Sequence, residues 1–165
     1  MTLFTEDNLQ ITFNNVTHAR KFDDSEHGLS HCMKAVDFVI ELPDRYLFIE
    51  FKDPENPDIP IQYRAAAIQN LNNSEFDEDL KHKFRDTFLY EWASGCADKP
   101  VEYFVLVALE DRPLLSRRLE ALELNLPLGM PASAAWTRPI VHRCGVFNIT
   151  DWNTTFPDYP VRRLS

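Results

Sequence analysis

The clearest alternation of apolar and polar positions lies between Val36 and Asp53, VDFVIELPDRYLFIEFKD. Side chains alternate across a strand, so Val36, Phe38 and Ile40 against Asp37, Val39 and Glu41 predict a strand over Ala35–Leu42. Pro43-Asp44-Arg45 supplies a turn, and Tyr46–Phe51 resumes the pattern. There Tyr46, Phe48 and Glu50 share one face, and Leu47, Ile49 and Phe51 the other. Apolar residues on both faces predict a central strand covered by helices.

The flanking pattern is read around this hairpin. Leu9–Phe13 alternates like a short strand, and Val16–Phe22 is open between a helical turn and a second strand. Asp23 to Gly28 is a polar loop or helix start. Its His27 and His31 are spaced as a helical pair, but Gly28 between them favours two surface histidines over a metal pair. The loop Asp53–Pro60 holds three prolines and is stiff enough to wall a cleft. A helix follows over Ile61–Leu71, with Ile61, Ala65, Ile68 and Leu71 in register. Ser74 then caps a longer helix, Glu75–Ser94, whose buried stripe is Leu80, Phe84, Phe88 and Trp92. Val101–Leu109 is nearly all apolar and predicts a buried central strand. Leu114 to about Leu124 is a helix with Leu115, Leu119 and Leu122 inward and Arg117 and Arg118 exposed. Residues 125–138 form an extended connection or one helical turn, and Val141–Ile149 contains a last strand. Trp152, Phe156 and Tyr159 make residues 151–165 an ordered aromatic arm. The whole chain, 1–165, is expected to be one α/β domain.

Composition narrows the function. The formal net charge of −9 disfavours a broad, sequence-independent grip on nucleic acid, while leaving room for a local basic patch beside an acidic site. No glycine-rich phosphate loop is present, and glycine is scarce. Cys32, Cys96 and Cys144 are odd in number and lack a C-x-x-C, which points to reduced, isolated thiols. The first ten residues are acidic where a signal peptide is basic, and no apolar run reaches membrane-spanning length. A cytoplasmic protein without a membrane partner is expected.

The chemistry concentrates in the hairpin. Pairing about its turn brings Asp37 close to Glu50, with Lys52 two residues on and on the same face as Glu50. Two carboxylates with a neighbouring carbonyl are hard oxygen ligands suited to Mg²⁺, or to Mn²⁺. The plain alternative is a charged solvent edge carrying Asp37, Glu41, Glu50 and Lys52. Covered faces weigh against it, because a buried carboxylate must be paired or bound to a cation. Lys81, Lys83 and Arg85 form a dense basic stretch on the second helix. They read either as a solvated helix face or as phosphate contacts.

The D-x12-E-x-K spacing, with both halves in hydrophobic strands (VDFVIE and LFIEFK), resembles the PD-(D/E)xK nuclease-like superfamily. The resemblance extends over roughly residues 16–125 through the order of helices and apolar strands that follows the lysine. Val36-Asp37 stands where the name-giving motif has Pro-Asp, and proline is not a ligand. The resemblance implies a restriction-endonuclease-like mixed central sheet flanked by helices. It also implies a Mg²⁺-dependent nuclease, an endo- or exodeoxyribonuclease acting on DNA before RNA, alone, as a homodimer or in a larger complex. It places the metal on Asp37, Glu50 and the Phe51 carbonyl, and the catalytic roles on Asp37, Glu50 and Lys52. A further acid is expected upstream, at Glu26 or else Asp24, and Gln62, Tyr63 or Gln69 is the candidate on the next helix. The alternative is a catalytically silent version of the same fold used as a protein-interaction subunit, to which the net charge and the aromatic arm are suited.

Overall fold

The computed structural model describes residues 1–23, 27–129, 135 and 137–164. In chain order its strands and helices are β1 (Thr2–Glu6), β2 (Leu9–Phe13), β3 (His18–Lys21), β4 (Phe38–Glu41), β5 (Tyr46–Lys52), α1 (Ile61–Asn70), α2 (Ser74–Ala93), β6 (Val101–Val107), α3 (Arg112–Asn125), β7 (Arg143–Phe147), α4 (Ile149–Thr155) and β8 (Val161–Arg163). The fold is mixed α/β, as expected from the strand and helix patterns. Its main sheet runs β3-β4-β5-β6-β7, antiparallel from β3 to β5 and parallel from β5 to β7. The β4–β5 register pairs Phe38 with Ile49 and Ile40 with Leu47, so Asp37, immediately before β4, falls beside Glu50.

Alternation along β5 sends its side chains into two separate cores. Tyr46 and Phe48 face Leu80, Phe84, Leu115 and Leu122 of α2 and α3. Leu47, Ile49 and Phe51 face Leu9, Ile11, Phe13, Trp152 and Val161. Helices therefore cover one face of the main sheet, whereas the other is covered by a second sheet, β1-β2-β8, together with α4. Both faces are covered, as expected of a central strand, but on the second face α4 shares the cover with a sheet. Strand β1 has no clear alternating signal because only its inward side is partly covered.

Several local expectations also change. Asn73, not Ser74, caps α2, its Oδ1 accepting the Phe76 N–H at 3.0 Å. Trp92 leaves the buried stripe, being 61% exposed, and Phe76, Thr87 and Glu91 complete it instead. Helix α1 buries none of its residues, and Ile61 is 79% exposed. Of the expected apolar register only Leu71, just past the helix end, is buried in the core. Leu119 is only half-buried, and Arg118 is ion-paired with Asp77 at 3.0 Å rather than free. The last predicted strand ends at Phe147 because Asn148 caps α4, accepting the Asp151 N–H at 2.6 Å. Six residues of the 125–138 connection before it, 130–134 and 136, lie outside the described residues.

The aromatic arm is the pin of the second core. Trp152 is buried against Phe51, Phe104, Phe147 and Phe156, and its indole N–H donates to the Tyr159 carbonyl at 2.8 Å. Arg163 of β8 reaches from the small sheet to Asp53 (2.6 Å), tying the arm to the loop that follows the Lys52 strand. Among the described residues no helix is long and apolar enough to cross a membrane. We expect Trp152→Ala to cost about 3–5 kcal/mol of unfolding free energy, the usual range for a buried tryptophan. Urea denaturation followed by circular dichroism measures it, and a loss below about 1 kcal/mol would contradict the packing.

Candidate metal centre

The hairpin delivers two acids to one place. Asp37 is held by its own strand register and by the Phe51 N–H, which donates to its Oδ2 at 2.5 Å. Glu50 projects from β5 on the face under α2 and has no solvent exposure. Helix α2 is fixed above them by three contacts. Tyr103 donates its hydroxyl proton to the Leu80 carbonyl at 3.2 Å, Val36 N–H donates to Thr87 Oγ1 at 3.1 Å, and Arg20 pairs with buried Glu91. That placement drives Lys83 down between the two acids. Its Nζ stands 2.6 Å from Glu50 Oε1 and 3.8 Å from Asp37 Oδ1. Lys52 Nζ approaches the same Glu50 Oε1 at 2.8 Å from the other side.

Asp37, Glu50 and Lys52 thus meet, together with the backbone of Phe51, at the wall of a cleft of about 420 Å³. Asp53, Pro54 and Ile59 form another wall, so the proline loop does line the cleft. Glu6 and Asp7 enter from the β1–β2 turn and Asp23 from the end of β3. Among the described residues, six carboxylate side chains and two ammonium groups line this space. Two of the acids have partners elsewhere, Glu6 with Lys21 at 2.6 Å and Asp53 with Arg163.

The electrostatics follow from burial. Burial first, and then the charge of Glu50, pushes the Asp37 carboxyl well above the usual carboxylate range. For Lys83 burial acts against the charged form, but Glu50 and Asp37 outweigh it and hold the ammonium above its ordinary pKa. Asp79, one turn before Lys83, is pushed up by burial, yet Lys34, Lys52 and Lys83 more than offset this and hold it low.

The donor set fits a hard divalent ion. Glu50 Oε2 is buried and has no hydrogen-bond partner among the described residues, a cost that a cation removes. Single oxygens of Glu6, Asp23 and Asp37 also lie within 4.8 Å of one another. The upstream acids expected at Glu26 and Asp24 lie outside the described residues, and the acids gathered against Asp37 are Glu6 and Asp23. Gln62, Tyr63 and Gln69 are all exposed, and α1 lends the cleft Ala67 and Asn70 instead.

The basic stretch divides. Lys81 is paired with Glu78 at 2.6 Å, Arg85 is exposed near the Phe84–Leu89 side of the helix, and Lys83 is in the acidic site. Lys81, Lys83 and Arg85 therefore do not share one face. The signal for Lys83 lay in helical geometry. At about 100° per residue it sits about 60° from Leu80, whereas Lys81 and Arg85 sit about 100° and about 140° away. His27 is also structural, stacked on Phe22 and accepting the Leu29 N–H at 3.0 Å.

Comparison with protein-family models, with curated proteins and with solved structures finds no match to this chain.

A raised Asp37 has a defined pH signature. The folded chain prefers its neutral form, so that contribution to stability is complete below the unfolded value of about 3.9 and is lost as pH rises towards the folded value. In a chelating buffer at pH 7, Asp37→Asn is expected to melt above the wild type, and the gap should close on acidification towards pH 4. A lower melting temperature for the variant at pH 7 would contradict the assignment.

Proposed function

We propose that the chain is a Mg²⁺-dependent nuclease of the PD-(D/E)xK type, with a restriction-endonuclease-like fold, hydrolysing phosphodiester bonds in DNA in preference to RNA. The observation that carries this is the joint placement of Asp37, Glu50 and Lys52 at one cleft, on an antiparallel hairpin continued by the parallel strands β6 and β7. An edge of ordinary surface charge would leave these acids in solvent. Here both are buried.

Asp37 and Glu50 would hold the ion, with the Phe51 carbonyl as a further ligand. Bound there, Mg²⁺ supplies charge neutralisation at the phosphate and a more acidic water. Lys52 keeps part of its side chain exposed at the cleft, where its N–H groups are free to turn from Glu50 to charge developing on a phosphate. The Phe51 N–H fixes the Asp37 carboxylate so that its other oxygen points at the shared site. With a net charge of −9, binding of nucleic acid depends on this one point rather than on a broad basic surface. Mn²⁺ suits the same oxygens.

A second reading has one observation in its favour. Lys83 pairs with both acids, as a silent nuclease-like fold serving as a protein-interaction subunit would require. Calorimetric titration with Mg²⁺ separates the two. Heat that disappears in Asp37→Asn supports the nuclease, and no heat in the wild type supports the subunit.

The activity test is cleavage of linear and circular DNA, and of RNA, with Mg²⁺. Single changes Asp37→Ala, Glu50→Ala and Lys52→Ala are each expected to lower the rate by about 100-fold or more while the circular dichroism spectrum is retained. Full activity in all three would overturn the mechanism.

A further inference from the structure

Lys83 has no part in the chemistry assigned to the cleft, yet it is the group most firmly built into it. Its ammonium lies within 3.8 Å of both acids, and its stem descends from a helix anchored by Tyr103, Thr87 and Glu91. A Mg²⁺ ion on Glu50 and Asp37 needs an oxygen of each at about 2.0–2.1 Å. The ammonium draws on the same two carboxylates, and like charges that close, away from bulk water, repel strongly. One cation has to give way to the other.

We infer that Lys83 is the resident cation of the site, holding Glu50 and Asp37 together in the metal-free protein and leaving them when a divalent ion enters. This rests on the proposed metal centre. The structure supplies an acid on the path of the displaced group. Asp79 lies four residues earlier on α2, on the same helix face; its Oδ1 is paired with Lys34 at 2.5 Å, while among the described residues its Oδ2 is approached only by Lys52, at 3.8 Å. The flexible four-carbon stem lets the ammonium swing from one carboxylate to the other without movement of the helix. Lys83 is thus a positioning residue. It sits against Glu50 beside Asp37 before loading and sets a threshold for metal entry.

The test compares Mn²⁺ affinity of the full chain with that of Lys83→Met, which keeps the stem and removes the charge, and of Lys83→Arg. Free Mn²⁺ is read by electron paramagnetic resonance, and melting temperature is read with and without metal. We expect Lys83→Met to bind Mn²⁺ about tenfold more tightly or better, and to melt below the wild type in chelator but not with saturating metal. Lys83→Arg should keep the weaker affinity. Equal or weaker binding by Lys83→Met, with the wild type still binding, overturns the exchange and leaves the metal centre standing. No binding by any of the proteins overturns the metal centre and the exchange with it. If Lys83→Met does not fold, ¹⁵N resonances of lysine ammonium groups in the wild type decide. The protected Lys83 signal should vanish on Mg²⁺ saturation, and its persistence overturns the proposal.

Discussion

Two carboxylates buried side by side cannot both stay charged without a cation between them. Asp37 and Glu50 are in that position because the β4–β5 register puts them opposite each other and α2 closes over them. Everything around them answers this constraint. Phe51 donates its amide to Asp37, and Lys52 and Lys83 converge on one oxygen of Glu50 while the other oxygen is buried without a hydrogen-bond partner among the described residues. Glu91 and Asp53, each paired with an arginine, also keep one oxygen in this state, so what sets Glu50 apart is the second buried carboxylate beside it.

The rest of the chain keeps that arrangement rigid. Parallel pairing with β6 and β7 extends the sheet beyond the hairpin, so β5 is central and its acid cannot retreat to solvent. The small sheet and the aromatic arm seal the opposite face and leave the hairpin no other way to turn. Arg163 then ties the end of the chain to Asp53, three residues after Glu50. The loop that walls the cleft is held by the last strand of the protein, which couples the arm to the geometry of the site.

The central hairpin was legible because a period of two is unambiguous when both strands carry it, and the register followed from the short turn. Strand β6 was legible as an unbroken apolar run for the same physical reason, since both its faces are covered. What the sequence hid depends on contacts far apart in the chain. The second sheet joins β2 to β8, which lie at opposite ends, and β1 alternates too weakly to announce itself. Lys83 looked like one member of a basic run because neighbours in sequence point to different sides of a helix. Its distance from the buried stripe, rather than its company, was the informative feature. Glu6 reaches the site only through the fold of the β1–β2 hairpin, and no local pattern foretells that.

The most direct measurement is diffraction from crystals grown with Mn²⁺, using the anomalous signal of the metal. One dominant anomalous peak is expected in contact with carboxylate oxygens of both Asp37 and Glu50, with the Lys83 ammonium moved away from them. A well-ordered cleft without a peak, or with Lys83 still bridging the two acids at saturating metal, would contradict it.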